Sequence, residues 1–317
     1  MKEKILGVGA MGGDAKQVLA NIRDLEERGI PAAWLTTGSP NADGLTVLAA
    51  AAVQTQDVKL GTCITPTWPR HPVAAVQQAQ VLANLAPGRV RLGFGPSHRG
   101  TMERVFGVDF STPLSNLREY VTIVKGLLRD GSMEFEGKHY TTHTALQAPV
   151  GDIPVMASAL RAGSFEMCGE LTDGAISWVS PGVYLRDVAL PAMARGAARV
   201  GRPVPSLVAH APICVHDDRQ EVLAAAREQL AHYVRQPYYI AMFKEAGFPE
   251  AESNNWSDEM IDAVVFSGSE AHVTERIQEL YSWGATEIIA TVLTAGQDVV
   301  GSRQRTLDLL TTVAGQI

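Results

Sequence analysis

The chain has 317 residues, 46% hydrophobic and 19% charged, enough to bury a sizeable core in one large domain. A formal net charge of −7 argues against nucleic acid or an anionic membrane as the main partner. Cys63, Cys168 and Cys214 are odd in number, far apart and set in apolar runs, which fits buried thiols in a reducing compartment and neither a disulfide frame nor a zinc site.

Met1-Lys2-Glu3-Lys4 leads straight into a short strand over Ile5 to Ala10, with no apolar signal core, and no later segment is long enough to cross a bilayer. The expectation is a cytoplasmic enzyme. Val18, Ile22 and Leu25 share one face of a helix that Gly29 stops. Ala32 to Thr36 reads as a second strand, Gly44 to Gln54 as a helix, and Val58 to Ile64 as a third strand ending at Thr65-Pro66. Pro72 opens the next helix, where its missing N–H costs nothing, and Pro87-Gly88 ends it. Arg89 to Gly95 is a fourth strand, running into Pro96-Ser97-His98.

Thr112-Pro113 starts a helix whose Leu117, Val121, Val124 and Leu128 form one face. Phe135 to Tyr140 reads as a small hairpin, Ile153 to Ala157 as a fifth strand and Gly174 to Val179 as a sixth. Leu207 to Val215 is a seventh strand interrupted by Pro212. A long helical stretch from Arg219 to Ala246 exceeds one barrel helix and predicts a helical insertion around 232–266. Val273, Ile277 and Leu280 mark the last barrel-type helix before an eighth strand, Glu287 to Leu293. Eight strands in alternation predict a (β/α)8 TIM barrel with insertion segments, spanning 1–317 as a single domain.

The dinucleotide fingerprint fails, because Gly93-x-Gly95 has no third glycine at the right spacing. No P-loop, His-Glu-x-x-His, Gly-x-Ser-x-Gly or Cys-x-x-Cys is present, and the eight histidines do not cluster by spacing, so no metal site is expected. Chemistry therefore falls to strand ends, where barrel enzymes place it. These are Thr62, Cys63 and Ile64 after the third strand; Gly95, Ser97 and His98 after the fourth; Ala157, Ser158, Ala159, Leu160 and Arg161 after the fifth; and Trp178 closing the sixth. Small residues there let a flat ring and a phosphate approach the backbone. Cys63 reads first as a buried apolar residue, since nothing near it in sequence would lower its pKa. Arg161 is an anion contact or a solvated surface residue. His98 is the better functional candidate, and His71 either caps a helix or lines the pocket. Trp68 is a lid or a core shield, His139 and His143 are exposed on the hairpin, and Met242 and Phe243 belong to core or interface.

Taken in order, several blocks resemble the luciferase-like monooxygenase superfamily, and within it the oxidoreductases dependent on the deazaflavin coenzyme F420. They are Val58 to Ile64, Arg70-His71-Pro72 to Leu85, Gly88 to His98, Leu117-Arg118-Glu119-Tyr120, Phe135 to Tyr140, and Cys168 to Ala175. The resemblance implies a ring-shaped cofactor across the C-terminal mouth of the barrel and a non-proline cis peptide at Cys63–Ile64 behind it, a backbone role for Cys63 with no thiol chemistry. It places the cofactor's tail phosphate near Ser158, Ala159, Leu160 and Arg161, and it implies a homodimer. Many relatives carry an Asp-His pair after the second strand, whereas this chain has Thr36-Thr37-Gly38-Ser39. It also has Leu160-Arg161-Ala162-Gly163 where relatives often have Leu-Gly-Pro-Lys. The missing histidine argues against alcohol oxidation and for reduction of an activated C=C or C=N in a small-molecule substrate. His98 is then the first candidate for proton donor or ring contact and His71 the second. An FMN-dependent monooxygenase of the same fold is the alternative, and an inactive flavin-binding or scaffold barrel the second alternative.

Overall fold

The computed structural model describes residues 3–38, 42–148 and 150–317, so Met1, Lys2 and the Ser39 of the altered strand-end motif lie outside the described residues. The strands are β1 (Ile5–Gly9), β2 (Ala32–Leu35), β3 (Lys59–Thr62), β4 (Thr65–Pro66), β5 (Val90–Gly95), β6 (Ser132–Glu136), β7 (Thr141–Ala145), β8 (Val155–Ser158), β9 (Gly174–Trp178), β10 (Ser206–Val215), β11 (Phe266–Gly268) and β12 (Glu287–Val292). Parallel pairing runs β1, β2, β3, β5, β8, β9, β10, β12 and returns to β1, closing the expected eight-stranded barrel with helices outside it.

Side chains alternate along each strand, so one set faces the helices and the other the barrel interior. The outward set packs on helical stripes such as Val18, Ile22 and Leu25 of Ala15–Glu27 and Leu117, Val121, Val124 and Leu128 of Pro113–Asp130, all buried. Each such side chain is worth roughly 1.5–3 kcal/mol of burial. The inward set forms a smaller cluster of Ala32, Trp34, Cys63, Met156, Ile176, Val208 and Ile289. Trp34 fills the interior because its neighbours are glycines: a Cβ on Gly61 would lie 2.4 Å from its ring, and one on Gly7 2.7 Å. Its Nε1 donates to Glu287 Oε1 at 2.9 Å, Glu287 is ion-paired with Arg91, and the Arg91 guanidinium lies 4.9 Å from the Trp34 ring centre. Glu287 opens β12, so this buried ionic group lies at the N-terminal end of the barrel.

Three expectations change. Pro212 does not interrupt its strand, which runs unbroken through Val215. The His210 carbonyl accepts from Val179 on the β9 side and the Ile213 carbonyl from Leu293 on the β12 side, so the missing N–H of Pro212 faces the β9 side. There pairing with β9 ends at His210 and pairing with β11 begins at Ile213, so no ladder bond is lost. The stretch from Arg219 is not one long helix: Arg219–Gln229 ends, a turn spans Tyr233–Arg235, and Pro237 opens Pro237–Glu245. A turn at Pro249–Ser253 and the helix Asp258–Val264 complete the segment. The hairpin is longer than expected, β6 and β7 pairing from Glu136–Thr141 out to Ser132–Ala145.

Candidate functional site at the C-terminal mouth of the barrel

The last inward position of each barrel strand, or the residue just after it, makes up the floor of the mouth. On one side these positions are small. A Cβ on Gly95 would lie 2.3 Å from Ser158 Oγ and 3.0 Å from Ile64 Cγ1, and one on Gly9 would lie 3.3 Å from Thr291 Oγ1. Thr36 Oγ1 donates to the Cys63 carbonyl at 2.7 Å. The other side is built from Trp178, His210 and Thr291. Trp178 and His210 have ring centres 4.2 Å apart, and His210 Nε2 is 2.6 Å from Thr291 Oγ1.

The floor is shaped by a break in β3. The strand stops at Thr62, the Cys63–Ile64 peptide is cis where the resemblance places one, and β4 resumes pairing opposite Phe94 and Gly95. Leu35 and Thr37 bracket this bulge, with Cys63 N donating to Leu35 O and Thr37 N to Ile64 O. Thr62 repairs the gap: its hydroxyl donates to Gly93 O at 2.9 Å and accepts from Gly93 N at 2.8 Å. The Thr62 side chain thus serves the barrel wall and does not face the mouth. Burial pushes the Cys63 thiol up to about 12, so it is no nucleophile at neutral pH. Ser97 and Val179 adopt φ of 61° and 49°, a left-handed conformation that follows β5 and β9 just at the rim.

A roof crosses this floor from the segment after β10. His98 lies 4.9 Å from His232 and 5.9 Å from Tyr233, ring centre to ring centre, and Tyr233 also packs 5.6 Å from Trp178. Tyr233 therefore bridges the loop after β5 to the end of β9. Tyr239 closes the aromatic group 5.2 Å from Tyr233. Burial, with His232 beside it, lowers the His98 pKa to about 4, and burial lowers that of His210 to about 3. Both imidazoles are neutral at pH 7, able to hold one N–H donor but not to act as a standing acid.

The remaining sequence candidates divide. His71 caps the helix Pro72–Leu85, its Nδ1 accepting from Val73 N at 3.3 Å, and its exposed ring packs edge-on to Tyr140. Ser158 faces the floor, whereas Ala157 and Ala159 are fully buried and supply packing and backbone. Leu160 N and Arg161 N both donate to Ser164 Oγ at 3.1 Å. Arg161 keeps a partly solvated side chain but is not free: its guanidinium is paired with Glu245 of the roof segment at 3.2 Å. Trp68 packs against Phe110 and edge-on to His139, which is half-buried and 3.0 Å from Thr112 Oγ1 and so not exposed as expected. His143 is exposed beside Glu134, and Met242 and Phe243 are core. Sequence reading missed Thr36, His210, Tyr233 and Thr291. Counting by two from Val208 and Ile289 would have found His210 and Thr291.

Among the described residues no group of three or more His, Cys, Asp or Glu could hold a metal ion. A cleft of about 290 Å³ near Pro87, Val90 and Ile153 opens by the start of β5, at the opposite end, and offers one carboxylate, Asp152.

The family model described as luciferase-like monooxygenase matches residues 5–287. A 5,10-methylenetetrahydromethanopterin reductase from Methanolobus tindarius is 25% identical over 285 residues, 84% of this chain and 86% of the relative. An F420-dependent glucose-6-phosphate dehydrogenase from Nocardia farcinica is 31% identical over 182 residues, 55% of this chain and 54% of the relative. The solved structure of a coenzyme F420 dependent tetrahydromethanopterin reductase from Methanopyrus kandleri superposes with a TM-score of 0.79 at 24% identity, covering 98% of this chain and 97% of that one.

Proposed function

Because the chain belongs to the luciferase-like monooxygenase family, we propose that it is a coenzyme F420-dependent oxidoreductase moving a hydride between the deazaflavin and a small organic substrate, with reduction of an activated C=C or C=N favoured. The observation that carries the reading is the floor itself, where Gly95 beside the Cys63–Ile64 bulge and Gly9 beside Thr291 leave two strands bare at the level where others carry side chains. Such a surface fits a flat ring. The Nocardia relative, named as F420-dependent, supports the deazaflavin over other rings.

When bound, the deazaflavin would supply the hydride from C5. Cys63 and Ile64 would support the ring through the backbone, and Ser97, Gly95 and Ser158 would border it. His98, neutral and held by His232 and Tyr233, would hold a proton at one ring nitrogen as a hydrogen-bond donor at the rim. Arg161 would meet an anionic tail only by sharing or releasing Glu245. Tyr233 and Tyr239 would exclude water from above. No helix among the described residues is long and apolar enough to cross a membrane. A cytoplasmic homodimer, with 1–317 as one barrel unit, belongs to the same reading.

Side-by-side titrations of the purified protein with coenzyme F420 and FMN, followed by fluorescence, test it. Micromolar or tighter binding of the deazaflavin with weak FMN binding is expected, followed by turnover of enones or imines. Preference for FMN would move the protein to monooxygenase chemistry, and binding of neither would overturn the cofactor assignment.

A further inference from the structure

His210 is hydrogen-bonded within the protein at only one ring nitrogen. Its Nε2 meets Thr291 Oγ1 at 2.6 Å, while its other ring nitrogen has no hydrogen-bond partner among the described residues. That second nitrogen is not among the buried polar atoms left without a partner, so solvent or a ligand can satisfy it. His210 stands on the inward face of β10, two residues beyond the fully buried Val208, and keeps 7% of its surface accessible. Next to it, Trp178 Nε1 is buried and has the Tyr233 hydroxyl of the roof beside it as an acceptor. One ring nitrogen of His210 is therefore left open at the wall of the mouth.

The surroundings limit what can bond to it. The arginines on the loops leaving β4, β5 and β8 are each matched: Arg70 with Asp43, Arg99 with Glu103, Arg161 with Glu245. The facing surfaces are aromatic rings, Trp178 and Tyr233. Such a wall favours a flat, uncharged molecule and penalises a carboxylate, which would lose its hydration without gaining a cation.

We propose that His210 is the hydrogen-bond donor that orients a neutral, flat substrate bearing one oxygen or imine-nitrogen acceptor, an aryl enone being the type case. The Thr291 hydroxyl donates to Nε2 and so leaves the proton on Nδ1, and Trp178 fixes the plane of the imidazole. The nature of the bond reduced rests on the oxidoreductase reading, but the contact does not.

The test is calorimetric titration of 4-phenylbut-3-en-2-one and of its carboxylate counterpart, trans-cinnamate. Both are run on the protein alone and on protein saturated with the deazaflavin. The enone binds, and cinnamate binds about ten-fold more weakly or worse. His210→Phe, which keeps a ring against Trp178, weakens the enone about ten-fold or more, the loss of one hydrogen bond to a desolvated acceptor. Thr291→Val weakens it less and, read by imidazole ¹⁵N shifts, converts a single Nδ1–H tautomer into a mixture, which a purely packing role would not do. Equal or tighter binding of cinnamate, unchanged enone affinity in His210→Phe, or no enone binding by the wild type in either condition overturns the proposal. Failure to bind the deazaflavin sinks the cofactor assignment instead, and leaves the titrations on the protein alone to decide this one.

Discussion

Replacing Arg91 by leucine strands a carboxylate at the N-terminal end of the barrel. The Arg91 and Glu287 side chains are 12% and 2% exposed, so solvent screens their attraction little. Removing one partner of a buried pair typically costs about 3–5 kcal/mol, mostly the penalty of the charge left behind. Loss of the guanidinium over Trp34 adds roughly 0.5–1 kcal/mol. Burial already raises the Glu287 carboxyl, with Arg91 opposing that rise. Without Arg91 the folded-state pKa climbs further above the unfolded value, so the folded chain holds its proton more tightly. The variant therefore gains stability as pH falls through that folded pKa, a tenfold gain in proton affinity being worth about 1.4 kcal/mol. Urea unfolding at pH 7.5 should show the full cost, and the same experiment at pH 5 a visibly smaller one. Adding Glu287→Gln, whose neutral amide can still accept from Trp34, should restore about 2 kcal/mol or more at pH 7.5. A single-variant cost below about 1 kcal/mol at pH 7.5, or an equal cost at both pH values, would refute the assignment of an uncompensated buried charge.

Gly95→Ala places a methyl 2.3 Å from Ser158 Oγ at the floor; deazaflavin affinity should drop about ten-fold or more by fluorescence titration while circular dichroism is unchanged. Thr62→Val removes both side-chain bonds to Gly93 and leaves a buried N–H and C=O without them, which should cost roughly 2–4 kcal/mol in urea. His98 and His210 have folded pKa values of about 4 and about 3 against an ordinary 6.5, so the unfolded chain takes up their protons first. Their contribution is complete above pH 6.5 and is lost as pH falls toward 4 and then 3, and His98→Phe should flatten the upper part of the acid-unfolding curve. All three thiols are buried and raised, to about 12 for Cys63 and Cys168 and about 11 for Cys214; native protein at pH 8 should resist a disulfide reagent that titrates the urea-unfolded chain promptly.

The barrel was legible because its signals are local and repeated. Val18, Ile22 and Leu25, or Leu117 to Leu128, specify buried helical stripes wherever the chain folds, and proline or glycine marks their ends. Pro212 misled because proline argues against a strand only where its N–H would be needed, and which neighbour lies on which edge is a property of the closed sheet. His98 stood out by its Gly-Pro flank, but its low pKa comes first from burial and then from His232, 134 positions away in sequence. For Arg161 the sequence left an anion contact and a solvated surface residue both open, because Glu245, which pairs with it, lies in a helix whose position over the mouth no local pattern encodes. Thr62 and Thr36 are ordinary strand residues until the bulge gives each a specific bond.

Floor and roof differ in how freely they can change. The floor is written into the ends of strands that must also close the barrel, so altering Thr62 disturbs the enzyme's scaffold together with its site. The roof, from His232 through Tyr239, comes from one contiguous stretch between β10 and β11 that contributes no barrel strand. Mutational drift there can remodel what the mouth accepts without renegotiating a single ladder bond. The barrel is therefore suited to diversify its substrates by exchanging that stretch, the chemistry beneath it staying where it is.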